Sequence, residues 1–346
     1  MNDSAILRRR HLGYFLMVAL IFIVYANSFE ASWHFDDYHN IVFNSKLHLS
    51  DLKVSSLIDT LFADPFVQDK LYRPIACLTF GLNWYAGQDN VFGYHVVNLL
   101  IHCLSAILLM QTMLLLFRTP ILSKCYPSGE APYCIALLAA TLWAVHPIQT
   151  QAVTYIVQRM AALAGMFYIA GLYCFLKGRL QADSRRALFW FAGAGMAFLL
   201  SLGSKENGVI FPLGVLMMEV TLFRPRLFSS TRSRWVLATG ISVVVLIGVV
   251  AALHVSEETL NTFFHGYERR FFNHAERLMT EFRVLVYYLY QIAYPNPASL
   301  NLSHDFAVST GLLSPWTTLP SFVLIFGILW SSWYFLPRFP LLCFGG

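Results

Sequence analysis

The chain has 346 residues, of which 57% are hydrophobic and only 12% charged, with a mean hydropathy of +0.56. A soluble domain of this size keeps roughly a quarter of its residues charged to cover its surface, so a soluble globular protein is excluded. The net charge of +5 does not mark a nucleic-acid binder either, because the basic residues cluster at the ends of apolar stretches instead of lining one face.

About 20 residues of helix match the hydrocarbon core of a bilayer. In chain order the sequence predicts an all-α polytopic membrane protein with spans near 10–29, 91–117, 133–148, 155–176, 187–203, 208–223, 235–254 and 316–336. A shorter stretch, 283–294, either spans, re-enters or lies at the interface, giving about 8–9 helices. The first apolar run ends in Asn27-Ser28-Phe29 with no small-residue cleavage site, which predicts a signal anchor.

Short cytoplasmic loops are rich in Lys and Arg. Arg8-Arg9-Arg10, then Arg118 and Lys124, then Lys177, Arg179, Arg185 and Arg186, then Arg224, Arg226, Arg232 and Arg234 each follow an even number of crossings. The N-terminus is therefore placed inside. Arg338 favours a non-crossing 283–294. The long polar stretch 30–90 becomes the first extracytoplasmic loop and 255–282 a second; short outer turns are expected at 149–154 and 204–207. The second loop carries Glu257, Glu258, Arg269, Arg270, Glu276 and Arg277, with Arg283 at its end, and the amphipathic pattern over 267–290 predicts a segment on the bilayer surface. Of six cysteines only Cys77 falls in the outer loop, which argues against a disulfide framework, and no C-x-x-C pair is present.

Two adjacent acids, Asp36 and Asp37, lie among Trp33, Phe35 and Tyr38 just outside the first span. Burial and a like-charged neighbour both raise a carboxylate's pKa, which suits a general base near neutral pH; a helix N-cap or hydrated turn is the structural alternative. At the same level lie Tyr72-Arg73-Pro74, His146-Pro147, Gln158-Arg159 and Ser204-Lys205-Glu206-Asn207. Cations beside acids suit an anionic ligand. Lys205 and Glu206 interrupt an otherwise apolar 187–223, costly unless they pair or line a wet cavity, although a simple hairpin would also place them there. Arg159 could equally snorkel to the interface, and helix packing accounts for His146 as well as a binding role does. His95, Asn98 and His102 share one helical face, a pattern of interhelical hydrogen bonding more than of a metal site.

The strings FDDYHNI, LYRPIACLTFGLNW, FGYHVVNLLIHC, LWAVHPIQTQAVTYIVQR, LGSKENG and ERLMTEFRVLVYYLYQIAYPNPASLNLSHDF, in this order from Phe35 to Phe306, resemble the membrane portion of the transmembrane and tetratricopeptide-repeat O-mannosyltransferases and their bacterial relatives, of the GT-C class of glycosyltransferases. The resemblance implies one GT-C-like membrane domain over 1–346, with no tetratricopeptide repeat in it. It implies an inverting enzyme that moves mannose or another hexose from a polyprenyl-phosphate carrier to a protein Ser or Thr hydroxyl on the extracytoplasmic side. Matching the acidic motif points to Asp37 and Asp36 as catalytic, with the base assigned to Asp37. A phosphate leaving group needs fixed cations, for which Arg73, Arg159 and Lys205 are the candidates, with His146 and Glu206 to position substrate. No metal is assigned; in an alternative, the acid pair and Glu206 hold a divalent cation, Mg or Mn. The expected partners are the lipid-linked sugar, a protein or lipid acceptor and the bilayer, in a bacterial inner membrane in preference to the endoplasmic reticulum. The rivals are a same-fold transferase acting on a lipid or polysaccharide, and a non-catalytic scaffold or transporter.

Overall fold

A computed structural model describes residues 3–67, 69–126, 129–223, 271–301, 304–335 and 338–339. The expected span 235–254, the basic residues Arg224 to Arg234, most of the loop 255–282 (with Glu257, Glu258, Arg269 and Arg270) and Cys343 lie outside the described residues. Among those described there is no β-strand beyond one isolated bridge, and the protein is an all-α, multi-pass membrane protein. Six helical stretches are long and apolar enough to cross a bilayer: Arg8–Glu30, Val91–Leu116, Ile156–Leu180, Ser184–Ser204, Glu206–Phe223 and Thr318–Phe335. A seventh is counted if Glu130–Val145 and Pro147–Thr154, bent by 51° at the break between them, form one span. Pro147 lies at that break because its ring has no N–H to continue the helix and clashes with the preceding turn.

The chain falls into two compact units, Met1–Val215 and Leu216–Gly346. In the first, α1 (Asp3–Tyr25), α4 (Val91–Leu116) and α6 (Glu130–Val145) pack together. Their shared core contains Met17, Ile21, Leu99, Ala106 and Met110 against Ala136, Ala140 and Ala144. Those three alanines recur every fourth residue, so one face of α6 is smooth and neighbouring helices approach closely, where dispersion contacts replace a hydrophobic drive that lipid does not supply. The opposite faces stay apolar and exposed, as Phe15, Ile23, Leu138 and Leu142 show, which is the composition of a lipid contact.

Helices α8 (Arg159–Leu180) and α9 (Ser184–Ser204) form a tight hairpin, with the Asp183 side chain accepting from the Arg186 N–H to cap α9. After α9 the chain turns through Lys205 into the short helical turn Glu206–Ile210 and α10 (Phe211–Met218). A Cβ at Gly208 would lie 2.6 Å from Ser201 Oγ and 2.8 Å from the Leu202 backbone N, so the LGSKENG turn can fold back on α9 only with glycine there.

The 30–90 loop is not an irregular crossing. It folds into successive helical turns with α2 (Val54–Asp59) and α3 (Pro74–Gly87), the latter opened by Pro74 at its first position. Ile41, Leu47, Ala63, Cys77 and Phe80 of the loop form a core with Tyr94 of α4 and Ile156, Met160 and Leu163 around the start of α8. Likewise the outer turn expected at 149–154 lies in a run of short helices over 147–158 that includes α7 (Thr150–Thr154).

In the second unit, α11 (His274–Ala293) opens with a capping box between Asn273 and Glu276. Its strongly amphipathic pattern, with Glu276, Arg277, Glu281 and Arg283 in one helix, keeps it out of the set of helices apolar enough to span. It packs on α12 (Thr318–Phe335) through Phe282, whose ring stacks on Phe322 at 3.9 Å. The segment after α11 returns along it: Tyr287 Oη and Gln291 Nε2 both donate to the Ser299 carbonyl, and Arg283 donates to the Ala307 carbonyl.

Candidate functional site

The residues at 155–160, where the run of short helices passes into α8, collect groups from four distant parts of the first unit. Val157 N–H donates to Asp37 Oδ1 at 2.7 Å, and the Tyr155 hydroxyl accepts from the Asp36 N–H at 2.9 Å. Met160 Sδ receives a weak contact from Arg73 at 3.1 Å, and Arg159 points into the interior. Near the start of a helix the first N–H groups lack intrahelical partners, so a carboxylate from another loop is a ready acceptor; that is why Asp37 docks here.

The two acids have different environments. Asp37 is 1% exposed, and its second oxygen accepts from the His34 N–H at 2.9 Å. Burial pushes its carboxyl up to about 6, with the two backbone N–H groups and His34 pulling it down and neighbouring Asp36 raising it further. Asp36 is exposed, and its carboxylate makes no hydrogen bond with any described residue. The turn that leads into both acids passes through Phe35, whose φ of 37° places a bulky residue in the left-handed region.

Because Asp37 has a higher pKa folded than unfolded, the folded state binds more protons between about pH 4 and 6. The stability it contributes is fully present below its unfolded pKa and is lost as pH rises through about 6. Thermal unfolding followed from pH 4 to 7 should therefore show a falling limb that Asp37→Asn flattens; an unchanged limb in the variant would assign it to other groups.

Arg73 also has a left-handed backbone, with φ of 40°. Its guanidinium forks onto Glu206, Nε to Oε1 at 3.0 Å and a terminal nitrogen to Oε2 at 2.9 Å, and lies 4.7 Å from the Tyr72 ring centroid. The Glu206 side chain is 66% exposed, so this bidentate pair sits at a wet surface where it is easily exchanged. Beside it Lys205 is half-buried and forms no ion pair with a described residue. Burial, then the nearby Arg73 cation, push its ammonium below the usual lysine range, with Glu206 opposing. Such a lysine gains from an incoming anion.

Arg159, the third candidate cation, turns into the interior. It is 0% exposed. Its Nε donates to Asn98 Oδ1 at 2.7 Å and its terminal nitrogens to the carbonyls of Thr79 and Tyr94 at 3.2 and 3.0 Å, with the Phe80 ring 4.6 Å away. The cation fastens α3 and α4 to α8. His146 ends α6 and caps the next turn, its Nδ1 accepting from the Ile148 N–H at 3.2 Å.

The face of His95, Asn98 and His102 does what was expected. His95 and His102 bond the carbonyls of Ala31 and Ala144, and the Asn98 amide donates to Val153 and Ile156 while its oxygen holds Arg159. Among the described residues no three His, Cys, Asp or Glu side chains gather as a metal-binding group. The alternative cation set fits poorly on its own terms, since both Asp37 oxygens are taken by backbone N–H groups.

A feature missed from the sequence is a cavity of about 670 Å³ in the first loop, lined by Lys46, His48, Ser56, Asp59 and Asp69 among others. Its polar lining comes from residues scattered over some 25 positions, and none of the expected site residues lines it. In the second unit, Tyr287 packs against His304 and Phe306 at centroid distances of 5.1 and 5.3 Å, which sets these two rings against α11.

No protein-family model matches the chain, and no solved structure matches it. Curated proteins do. The chain is 31% identical over 220 residues to "Protein O-mannosyl-transferase Tmtc3" of Drosophila melanogaster, a match that covers 58% of the chain and 23% of that protein. It is 30% identical over 208 residues to human "Protein O-mannosyl-transferase TMTC4", covering 56% and 27%, and 31% identical over 203 residues to the Xenopus laevis protein tmtc2, covering 56% and 22%. The chain thus spans about a quarter of the length of the curated relatives it matches. These relatives are animal proteins and lend no support to a bacterial inner membrane over the endoplasmic reticulum. Through the stretch it shares with them, more than half of its length, the chain is similar to these TMTC proteins.

Proposed function

We propose that the protein is an inverting glycosyltransferase that moves a hexose, mannose first, from a polyprenyl-phosphate carrier to a protein Ser or Thr hydroxyl on the extracytoplasmic side. The matched relatives are named protein O-mannosyl-transferases. The observation that carries the reading is the convergence, around residues 155–160, of an acid pair and the Arg73, Lys205 and Glu206 group, brought from loops far apart in sequence.

Exposure divides the work between the acids. Asp36 faces outward with a carboxylate open to an acceptor and is the general base, a reversal of the assignment made from sequence. Asp37, buried with both oxygens bonded, is the positioning residue that sets the Asp36 turn against α8. In the transfer Asp36 takes the hydroxyl proton as the acceptor oxygen bonds to the anomeric carbon. The bond from that carbon to phosphate oxygen breaks on the opposite face, and the electron pair leaves with the carrier phosphate. Lys205 and Arg73, the latter exchanging Glu206 for phosphate, stabilise the growing charge. Left-handed φ values at Phe35 and Arg73 fit this role, since such backbone outliers collect at functional sites.

The test is transfer by purified, lipid-reconstituted protein supplied with radiolabelled polyprenyl-phosphate mannose and a Ser/Thr-rich polypeptide. Radiolabel in the polypeptide at an inverted anomeric centre supports the reading. Label found only in lipid or polysaccharide would move the acceptor class, and no transfer from this or other polyprenyl-phosphate hexoses would overturn it.

A further inference from the structure

Away from the acid pair, a second cavity, of about 210 Å³, opens between the helices of the first unit. Arg10, His11 and Tyr14 of α1, Gln111 of α4 with Arg118 just beyond it, and Lys177 in the last turn of α8 supply its polar wall, closed by Tyr133 of α6. These are ends of helices that meet on the membrane side marked by the basic loops of the sequence, the cytoplasmic side by the positive-inside rule.

Basic residues on that side are ordinary, and cations near a helix C-terminus are favoured by the macrodipole. Three observations go further than that. Arg10, Arg118 and Lys177 form no ion pair with any described carboxylate; Glu130, in the first turn of α6, makes none with them. Aromatic faces hold two of the cations in place without neutralising them: Arg10 lies 5.5 Å from the Tyr133 centroid, and Lys177 lies 5.6 and 5.7 Å from those of Tyr173 and Trp190. The wall is also built, since the Tyr133 hydroxyl donates to the Arg10 carbonyl and Gln111 donates to the Tyr14 hydroxyl. Three unpaired positive charges around one recess between spanning helices have their best partner in a phosphate monoester or diester.

We infer that this cavity binds the phosphate headgroup of an anionic phospholipid from the cytoplasmic leaflet. The lipid source follows from position: the recess lies between spanning helices at the level of the headgroups, where anionic lipids are abundant and basic pockets capture them. Bound there, the headgroup would tie α1, α4 and α8 together at the end of the bundle opposite the acid pair.

The experiment measures phosphatidylserine retained per protein, by native mass spectrometry, after reconstitution in phosphatidylcholine vesicles with about one tenth phosphatidylserine and release into lipid-free detergent. Arg10→Gln/Arg118→Gln/Lys177→Gln should lower retention at least about tenfold, while Arg8→Gln/Arg185→Gln/Arg186→Gln, which removes equal charge from the same side, should stay within about twofold. Equal losses in both would show diffuse attraction and overturn the site. Retention abolished in wild type by millimolar inorganic phosphate would assign a soluble anion and overturn the lipid. Labelling of exposed Cys125 by an impermeant maleimide checks that topology is unchanged. Should the triple variant not fold, Arg118→Gln alone, at an exposed position, is expected to cost about threefold, and no loss there would count against the site.

Discussion

Asp36→Asn should lower the turnover number for sugar transfer at least about a hundredfold while leaving thermal unfolding within the error of wild type. The amide keeps the size and polarity of the side chain but cannot accept the acceptor's proton, and no hydrogen bond with a described residue is lost because the Asp36 carboxylate makes none. Asp37→Asn should behave differently. One of its two backbone donors, His34 N–H or Val157 N–H, would then face an NH2 group, leaving a buried donor unsatisfied at a cost of about 1–3 kcal/mol, partly offset because a buried charge is removed. Its activity should fall together with its unfolding temperature, by loss of the Asp36 turn's placement. Kinetics and melting of the two variants, run side by side, separate base from positioning residue. If Asp37→Asn loses activity without losing stability while Asp36→Asn remains active, the roles are the other way round.

The second large effect is at Arg159. Arg159→Met should destabilise the protein by about 3 kcal/mol, because it strands the buried acceptors Asn98 Oδ1 and the Thr79 and Tyr94 carbonyls at about 1–3 kcal/mol each, partly offset by the removal of a buried charge. Arg159→Lys should rescue only part of this, since a single ammonium cannot reproduce three bonds in a planar fork. The discriminating readout is kinetic. In whatever folded variant remains, measured at low temperature, the KM for the lipid-linked sugar should stay within about twofold of wild type, since a residue that never touches the phosphate does not set its affinity. A KM raised tenfold or more in a stable Arg159 variant would return this residue to the donor site.

Hydropathy and charge asymmetry are local properties, which is why the membrane class, the positions of α1, α4, α8, α9 and α12, the amphipathic pattern of α11 and the placement of Asp36 and Asp37 just beyond the first span were legible in the chain itself. The interhelical role of His95, Asn98 and His102 was legible for the same reason, since a spacing of three and seven fixes a helical face. Partner choice was not. Arg73 meets Glu206 across 133 residues and Asp37 meets Val157 across 120, so the sequence could bring these charges to one membrane level but not say which of them would pair. The same holds for direction. Arg159 could snorkel outward or turn inward at equal sequence cost, and only the carbonyls of α3 and α4, together with Asn98, gave the inward path enough acceptors to bury a guanidinium. Sequence determined what had to lie in the bilayer and which charges had to lie at its edge; the tertiary structure alone decided which acid is open, which is buried and which cations remain to meet a ligand, because those outcomes depend on acceptors and apolar surface supplied by segments far away along the chain.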